Sequence, residues 1–434
     1  MSLTKGTVYF FLHNKCIVQN AHDKCHINRD NGNKCIINVD FSPWLVMIKT
    51  EKGGAEMNGW ERNKKVVVAG HISLDITPVF QNSGGQKILE LFRPGKLVRV
   101  GNAQISTGGA VSNTGLGLHA LGGDVLLMAK VGEDAFGRIL KERIRQSGCE
   151  SSIPEVKGES TSYTVVVAPK GLDRFFLHDP GSNDTFCCED VDFGELAGAA
   201  HFHFGYPTLM RRFYQNDGEE LVELFQRVKD LGLTTSLDLT AVDPDSEAAG
   251  CNWKRILASV LPYVDFFVPS IEELGYMLDR RLYDKWQEKA GADDIVSILS
   301  LSEDVEVLAD QALELGTRAV LLKCGAAGMY LKTAPERVFT EALPFMKGWS
   351  GISHFQNSFV PDRILSATGA GDTSIAAFIK AMLEGAGPVE CAELAAATGA
   401  SCVTAYDAVS GLLPFEKLRE KIQNGWEQQK IIRP

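Results

Sequence analysis

The sequence predicts an α/β protein: a central, mostly parallel sheet covered by helices on both faces, with a small β-sheet lid beside it. Three observations carry this. Short strand-like runs, some of them wholly apolar, recur from Val66 onward, stretches of helical period separate them, and two segments break the alternation with β-type runs bounded by turn residues.

Val66-Val67-Val68-Ala69-Gly70 reads as a strand buried on both faces, because no polar residue alternates with the apolar ones. A helix is expected over residues 109–121, then a strand over 125–129 and a helix near 136–145. Strand-like runs follow at 200–204, 235–239, 264–268 and 319–323, with amphipathic helical stretches such as 218–229 and 304–315 between them. The last third reads as helices over 371–383, 389–403 and 415–422. The lid is expected from about residues 79–107 and 162–178, where Arg93-Pro94-Gly95 and Pro169-Lys170-Gly171 supply turns. No internal repeat of ~20–50 residues is present, which excludes a solenoid or propeller.

Residues 1–64 differ in character. They hold Cys16, Cys25 and Cys35 among many Asn, Lys and His, and show no sustained period. Cys16, Cys25, His26 and Cys35 could ligate zinc, but they lack the paired spacing that fixes a zinc knuckle. A loosely ordered extension is therefore expected ahead of one domain over 65–434. A second reading starts the native protein at Met57.

With 44% hydrophobic and 23% charged residues in 434, the chain has the composition of a globular protein. It is long enough to bury a core without disulfides or a structural metal. A net charge of -11 argues against nucleic acid or an anionic membrane as the main partner, since both demand concentrated Lys and Arg. No apolar run approaches the ~18 residues of a membrane span. The first apolar patch, residues 8–12, is too short for a signal-peptide core. The ten cysteines include no C-x-x-C, so reduced thiols and a cytoplasmic location are expected.

The strongest chemical signal is Ser366-Ala367-Thr368-Gly369-Ala370-Gly371-Asp372, opening a helix. Small residues let a ligand approach the main chain, and a helix start offers unpaired N–H groups and partial positive charge. The N–H groups of Gly369, Ala370 and Gly371 would cradle anionic oxygens, and Asp372 beside them could accept a hydroxyl proton. Taken alone, the segment reads first as a plain helix start capped by Asp372, and only the other segments turn it into a site. Ser106-Thr107-Gly108-Gly109-Ala110-Val111-Ser112-Asn113 is a second such junction, with Asn113 offering a donor and an acceptor to a polyhydroxylated ligand. Asp75, in Gly70-His71-Ile72-Ser73-Leu74-Asp75, stands just past a buried strand, where ligands of open α/β sheets collect. His71 reads as structural, since no carboxylate or nucleophile motif accompanies it.

These segments, in this order, resemble the ribokinase-like, or phosphofructokinase-B-type (PfkB), carbohydrate kinase family over roughly residues 65–423. Gly108-Gly109 with Asn113, followed by Val131-Gly132-Glu133-Asp134-Ala135-Phe136-Gly137, is similar to its N-terminal signature, and Ala367 to Asp372 to its C-terminal one. The resemblance implies a ribokinase-like three-layer α/β/α sandwich and transfer of the γ-phosphoryl group of ATP to a sugar hydroxyl. Asp75, Gly108, Gly109 and Asn113 would hold the sugar. Lys323, Gly325, Gly328 and Thr368 would lie at ATP. Ser270-Ile271-Glu272-Glu273 is similar to the family's Asn-x-x-Glu element, in which Glu273 would organise Mg²⁺. Ser366-Ala367 stands where the family often has Asp-Thr, so the acid of its potassium (K⁺) site is missing and only backbone carbonyls could serve. The resemblance also implies a homodimer joined through the lid.

Two rivals follow. A nucleoside kinase of the same fold would need an aromatic wall, for which Phe175, Phe176 and Phe204 offer themselves. A non-catalytic sugar-binding sensor would not need Asp372. A dinucleotide-dependent oxidoreductase is disfavoured, because no G-x-G-x-x-G follows the first strand.

Overall fold

The computed structural model describes residues 64–80, 93–168, 175–291, 293–430 and 432, with six short strand backbones in the N-terminal stretch. It divides into two compact units, Met1–Arg62 and Asn63–Pro434. In the first, Leu3–Thr4, Thr7–Phe10, Cys35–Asn38 and His26–Arg29 form one sheet, and Cys16–Val18 pairs with Ile48–Thr50. The side chains weighed there for zinc lie outside the described residues.

The second unit begins with β1 (Val66–Gly70), fully buried, its β-branched valines suited to a pleated strand covered on both sides. Gly70 has φ +122°, and a Cβ there would lie 2.5 Å from the Gly205 carbonyl oxygen. Only glycine fits, and at this point the chain leaves the sheet. β2 (Ser73–Pro78) and β3 (Ala103–Gly108) pair antiparallel in a separate sheet, and β3 runs directly into α1 (Gly109–Ala120). β4 (Val125–Met128) returns beside β1, followed by β5 (Val131–Gly132), α2 (Ala135–Ser147), β6 (Glu150–Ser152) and β7 (Glu155–Val156). β8 (Tyr163–Val167) and β9 (Phe175–Asp179) complete the small sheet in the order β9-β8-β2-β3, with β8 parallel to β2.

The chain then alternates: β10 (His201–Gly205), α3 (Glu219–Asp230), β11 (Thr234–Asp238), α4 (Trp253–Val260), β12 (Phe266–Phe267), α5 (Ile271–Leu278), α6 (Arg280–Ala290), α7 (Glu306–Glu314) and β13 (Ala319–Lys323). β14 (Gly328–Thr333) and β15 (Ser353–Asn357) follow, then α8 (Ala370–Leu383), α9 (Pro388–Cys402) and α10 (Phe415–Gln423). The main sheet has the order β6-β4-β1-β10-β11-β12-β13-β14-β15. It is parallel through β13, with β14 antiparallel to both neighbours. This is the predicted α/β architecture with a large, mostly parallel sheet and a small lid sheet.

One expectation needs correction. The small sheet begins at Ser73, not near residue 79, because Gly70 releases the chain as soon as β1 ends. The expected lid residues 81–92 and 169–174 lie outside the described residues. α4, α5 and α6 are further amphipathic helices between the strands, of the kind expected there but without bounds named from the sequence; Ile271, Leu274 and Leu278 form the buried face of α5. Among the described residues no helix is long and apolar enough to cross a membrane.

α1 and α8 pack closely, and their contact is built of small groups. A Cβ on Gly117 would lie 3.2 Å from the side chains of Ala376 and Thr373. This crossing sets the distance between the two helix starts that the sequence singled out. The exit at Gly70 is as exacting. Gly70→Ala should cost about 2–4 kcal/mol, combining left-handed strain with overlap on β10, measured as a lower denaturation midpoint. An unchanged midpoint would show that the strand end is not so constrained.

Candidate active site

α8 starts at Gly369, which has φ +78° and ψ -1°, a conformation that suits glycine. The N–H of Thr373 bonds the Gly369 carbonyl at 2.9 Å, and that of Ala370 bonds Ala367 at 3.3 Å. The N–H groups of Gly371 and Asp372 stand in the first turn of α8. Helix geometry leaves such first-turn donors open, with the positive end of the helix dipole behind them. Asp372 is 5% exposed yet well supplied with donors. Its Oδ2 accepts from Asn113 Nδ2 at 3.0 Å, and its Oδ1 accepts from the Tyr206 hydroxyl at 2.6 Å. Thr114 is a third, longer contact at 3.5 Å. Asn113 and Thr114 lie on α1 one turn before Gly117, so the close crossing of the two helices makes these bonds.

Beside this cradle stands Lys323, at the end of β13, whose side chain runs along Gly371. Its Nζ pairs with Asp238 Oδ1 at 2.6 Å, Asp238 being the last residue of β11. The second Asp238 oxygen is buried without a partner. Glu273 completes the group from the first turn of α5, where it and Ser270 form a capping box: Ser270 N–H donates to Glu273 Oε2 at 2.7 Å, and Glu273 N–H to Ser270 Oγ at 3.2 Å. Serine in place of asparagine thus serves as a helix cap. Burial works against the Lys323 charge, but Asp238, Glu273 and Asp372 outweigh it and raise its pKa. Burial pushes Asp238 upward, with Glu273 and Asp372 adding and Lys323 opposing. Glu273 is likewise raised, by burial first. Asp238, Glu273 and Asp372 around one ammonium leave an excess of negative charge. Their oxygens are not gathered into a cation cage: among the described residues the group close enough to share an ion is Cys187, Glu189 and Glu220. A cation here would have to draw on phosphate oxygens of the nucleotide as well.

On the other side, Asp75 projects from β2. Ser73 Oγ donates to it at 3.0 Å, and the Thr164 hydroxyl of β8 also reaches it. Burial raises its pKa to about 6, against these two hydrogen bonds and with Asp372 adding to the rise. Gly108 lies against the Asp75 carboxylate, where any side chain would overlap it, and Gly109 lies against His71. Asp75, Gly108, Gly109, Asn113, Gly369, Ala370, Gly371, Asp372, Lys323 and Glu273 thus line one region at the carboxyl ends of β1, β10, β11 and β13. Gly325 and Gly328 form the tight link between β13 and β14, with the Cys324 N–H bonded to the Gly328 carbonyl. Thr368 precedes the α8 cap, its N–H on Ser366 Oγ at 3.1 Å.

Sequence reasoning missed two site residues. Asp238 ends a buried strand in Ser236-Leu237-Asp238, and the strand-end rule that selects Asp75 would have found it. Tyr206 gives no such sign. It precedes Pro207, where an extended conformation is expected, yet has φ +70° and ψ 47°. Its N–H on the Asp238 carbonyl at 3.2 Å and its hydroxyl on Asp372 hold it there. Phe204, offered as an aromatic wall for a base, is fully buried in the core against Phe213 and Phe225 and faces away from the site.

Two outcomes follow from the charges. Asp75 has an ordinary pKa of 3.8 and a folded one of about 6, so above pH 6 the folded state bears the full cost of its charge. The cost fades as pH falls toward 3.8. Asp75→Asn should therefore melt above wild type at pH 8 and lose that advantage by about pH 4; equal melting at pH 8 would contradict it. Lys323→Met leaves Asp238 buried and unpaired and should cost about 3–5 kcal/mol, much of it restored when Asp238→Asn is added. Additive losses in chemical denaturation would deny the pairing.

Comparison with known proteins identifies the family of the chain. A profile of the pfkB family carbohydrate kinases matches residues 63–414. Similar curated proteins include an uncharacterized sugar kinase of Archaeoglobus fulgidus, 24% identical over 298 residues, 68% of this chain and 98% of the relative. Ribokinase of Arabidopsis thaliana is 23% identical over 335 residues, 75% of this chain and 74% of the relative. 2-Dehydro-3-deoxygluconokinase of Thermoproteus tenax is 26% identical over 327 residues, 74% of this chain and 86% of the relative. Among solved structures, Arabidopsis thaliana ribokinase complexed with ribose and ATP aligns with TM-score 0.59 and 20% identity, covering 82% of this chain and 98% of that one. A putative ribokinase II from E. coli in complex with ATP and Mg²⁺ aligns with TM-score 0.60 and 20% identity, covering 83% and 99%. The structural likenesses establish a ribokinase-like fold, and the match across most of the chain establishes more: this chain belongs to the pfkB family of carbohydrate kinases, ATP-dependent phosphotransferases with an alcohol group as acceptor.

Proposed function

We propose that this chain transfers the γ-phosphoryl group of ATP to a hydroxyl of a sugar or sugar-like substrate, with Asp372 as general base. The observation that carries the reading is the buried Asp372 carboxylate at the open start of α8, fixed by Asn113 and Tyr206 beside Lys323.

The sugar lies against Gly108 and Gly109, with Asp75 and Asn113 on its hydroxyls. Its reacting hydroxyl gives its proton to Asp372 as the oxygen attacks phosphorus, assistance typically worth ~10²–10⁴ in rate. The open N–H groups of the α8 start receive the phosphoryl oxygens as charge shifts, a stabilisation worth about 3–4 kcal/mol per donor in acyl-transfer enzymes. Lys323 adds a fixed positive charge next to Gly371. The rest of the nucleotide rests along Gly325, Gly328 and Thr368. Asp238 and Glu273 would hold Mg²⁺ close to the phosphates, where it supplies charge neutralisation. Ser366 brings no carboxylate for K⁺, so a potassium site here would rest on backbone carbonyls alone. The small sheet covers the sugar and limits loss of the phosphoryl group to water. Its edge strand β9 carries exposed Phe176 and Leu177 on opposite faces, apolar surface that a second copy of this chain would cover in a homodimer.

Asp372→Asn tests the reading. The variant should keep the fold and ATP binding while turnover falls at least ~10²-fold, followed by ADP release with a panel of sugars and nucleosides. Near-wild-type turnover would remove Asp372 as the base, and preference for nucleosides would move the substrate class.

A further inference from the structure

His71, in the two-residue link between β1 and β2, is 3% exposed, and among the described residues neither of its ring nitrogens has a hydrogen-bond partner. An unpaired buried polar atom costs about 1–3 kcal/mol, and an apolar side chain of similar size would fill the space without that cost. A purely structural role therefore explains it poorly.

Its position explains it better. A Cβ on Gly109 would lie 2.5 Å from His71 Nδ1, so that nitrogen abuts the backbone that opens α1. The ring centroid is 5.4 Å from that of His178 on β9 and 5.9 Å from that of Tyr206. Tyr206 bonds Asp372, while the Thr164 hydroxyl links His178 Nδ1, at 3.0 Å, to the Asp75 carboxylate. His71 thus sits between the carboxylate that takes the proton and the one that holds the sugar. Burial, with His178 contributing, keeps the ring uncharged, so it presents one donor and one acceptor. The two nitrogens point apart, so one of them, Nε2 if Nδ1 stays against the α1 backbone, can meet a given hydroxyl, as donor or as acceptor.

The charges around it sharpen the choice of ligand. Asp372 adds a like charge to Asp75, and Lys323 is engaged by Asp238. A ligand carboxylate on this side would add a further like charge beside Asp75 and Asp372.

Resting on the proposed sugar-kinase reading, we infer that His71, together with His178 of the small sheet, binds a substrate hydroxyl and selects uncharged sugars over sugar acids. The test measures ADP release and thermal stabilisation for wild type, His71→Leu and His71→Gln with ribose, fructose and 2-dehydro-3-deoxygluconate. Wild type should turn over a neutral sugar and not the acid. His71→Leu should raise KM for that sugar at least about tenfold, with kcat changed far less. Without ligand it should melt at or above wild type, because the unpaired nitrogens are gone, and His71→Gln should recover part of the KM. Preference of wild type for the acid overturns the inference while leaving the kinase reading intact. So does an unchanged KM in His71→Leu, or a fall in its melting temperature with kcat and KM worsening together, the mark of a structural residue. If wild type releases no ADP with any of the three, the sugar-kinase reading fails. The melts then decide alone: a neutral-sugar rise that His71→Leu lacks supports the binding role, and the absence of such a difference overturns it.

Discussion

The 3.0 Å hydrogen bond from Asn113 to Asp372 joins residues 259 positions apart, and it exists because α1 and α8 touch almost without side chains between them. Gly117 on one helix meets Thr373 and Ala376 on the other. A larger residue at that crossing would separate the helix starts and with them the two halves of the site. The hydrogen bonds to Asp372 are therefore a consequence of packing one turn deeper in the protein. The same dependence reaches Tyr206, whose left-handed backbone is tolerable only while Asp238 and Asp372 both hold it.

Electrostatics impose a second constraint. Asp75, Asp238, Glu273 and Asp372 converge with one lysine, and burial raises the pKa of Asp75, Asp238 and Glu273. Function places these groups together at the expense of stability, the common situation of a site whose charge is completed by its ligands. The apolar interior surrounding them, continuous from β1 through β10 to β13, supplies the stability that they withhold.

Much of the fold was legible because several strands are short apolar runs and the helices between them amphipathic, so that Val66 to Gly70 or Ala319 to Leu322 could have few other meanings. The antiparallel ending of the sheet was not, since β14 and β15 carry no signal of direction. In the site, glycine-rich helix starts stood out because their chemistry is local. Tyr206 did not, because its role arises from a backbone turn and from a partner on another helix. His71 was the opposite case. Its sequence neighbours make it look structural, and only the lack of a partner for its nitrogens among the described residues raises another role.

The small sheet is joined to the body in an unusual way. β2 begins three residues after Gly70, and β3 passes into α1 with no intervening residue. A cover on such short straps cannot swing freely as a flap. Any tilt of it must act as a lever on the Gly70 to Ser73 link and on the Gly108–Gly109 junction. Closing over a ligand and setting the floor beneath that ligand would then be one motion, felt at Asp75 and His71 together.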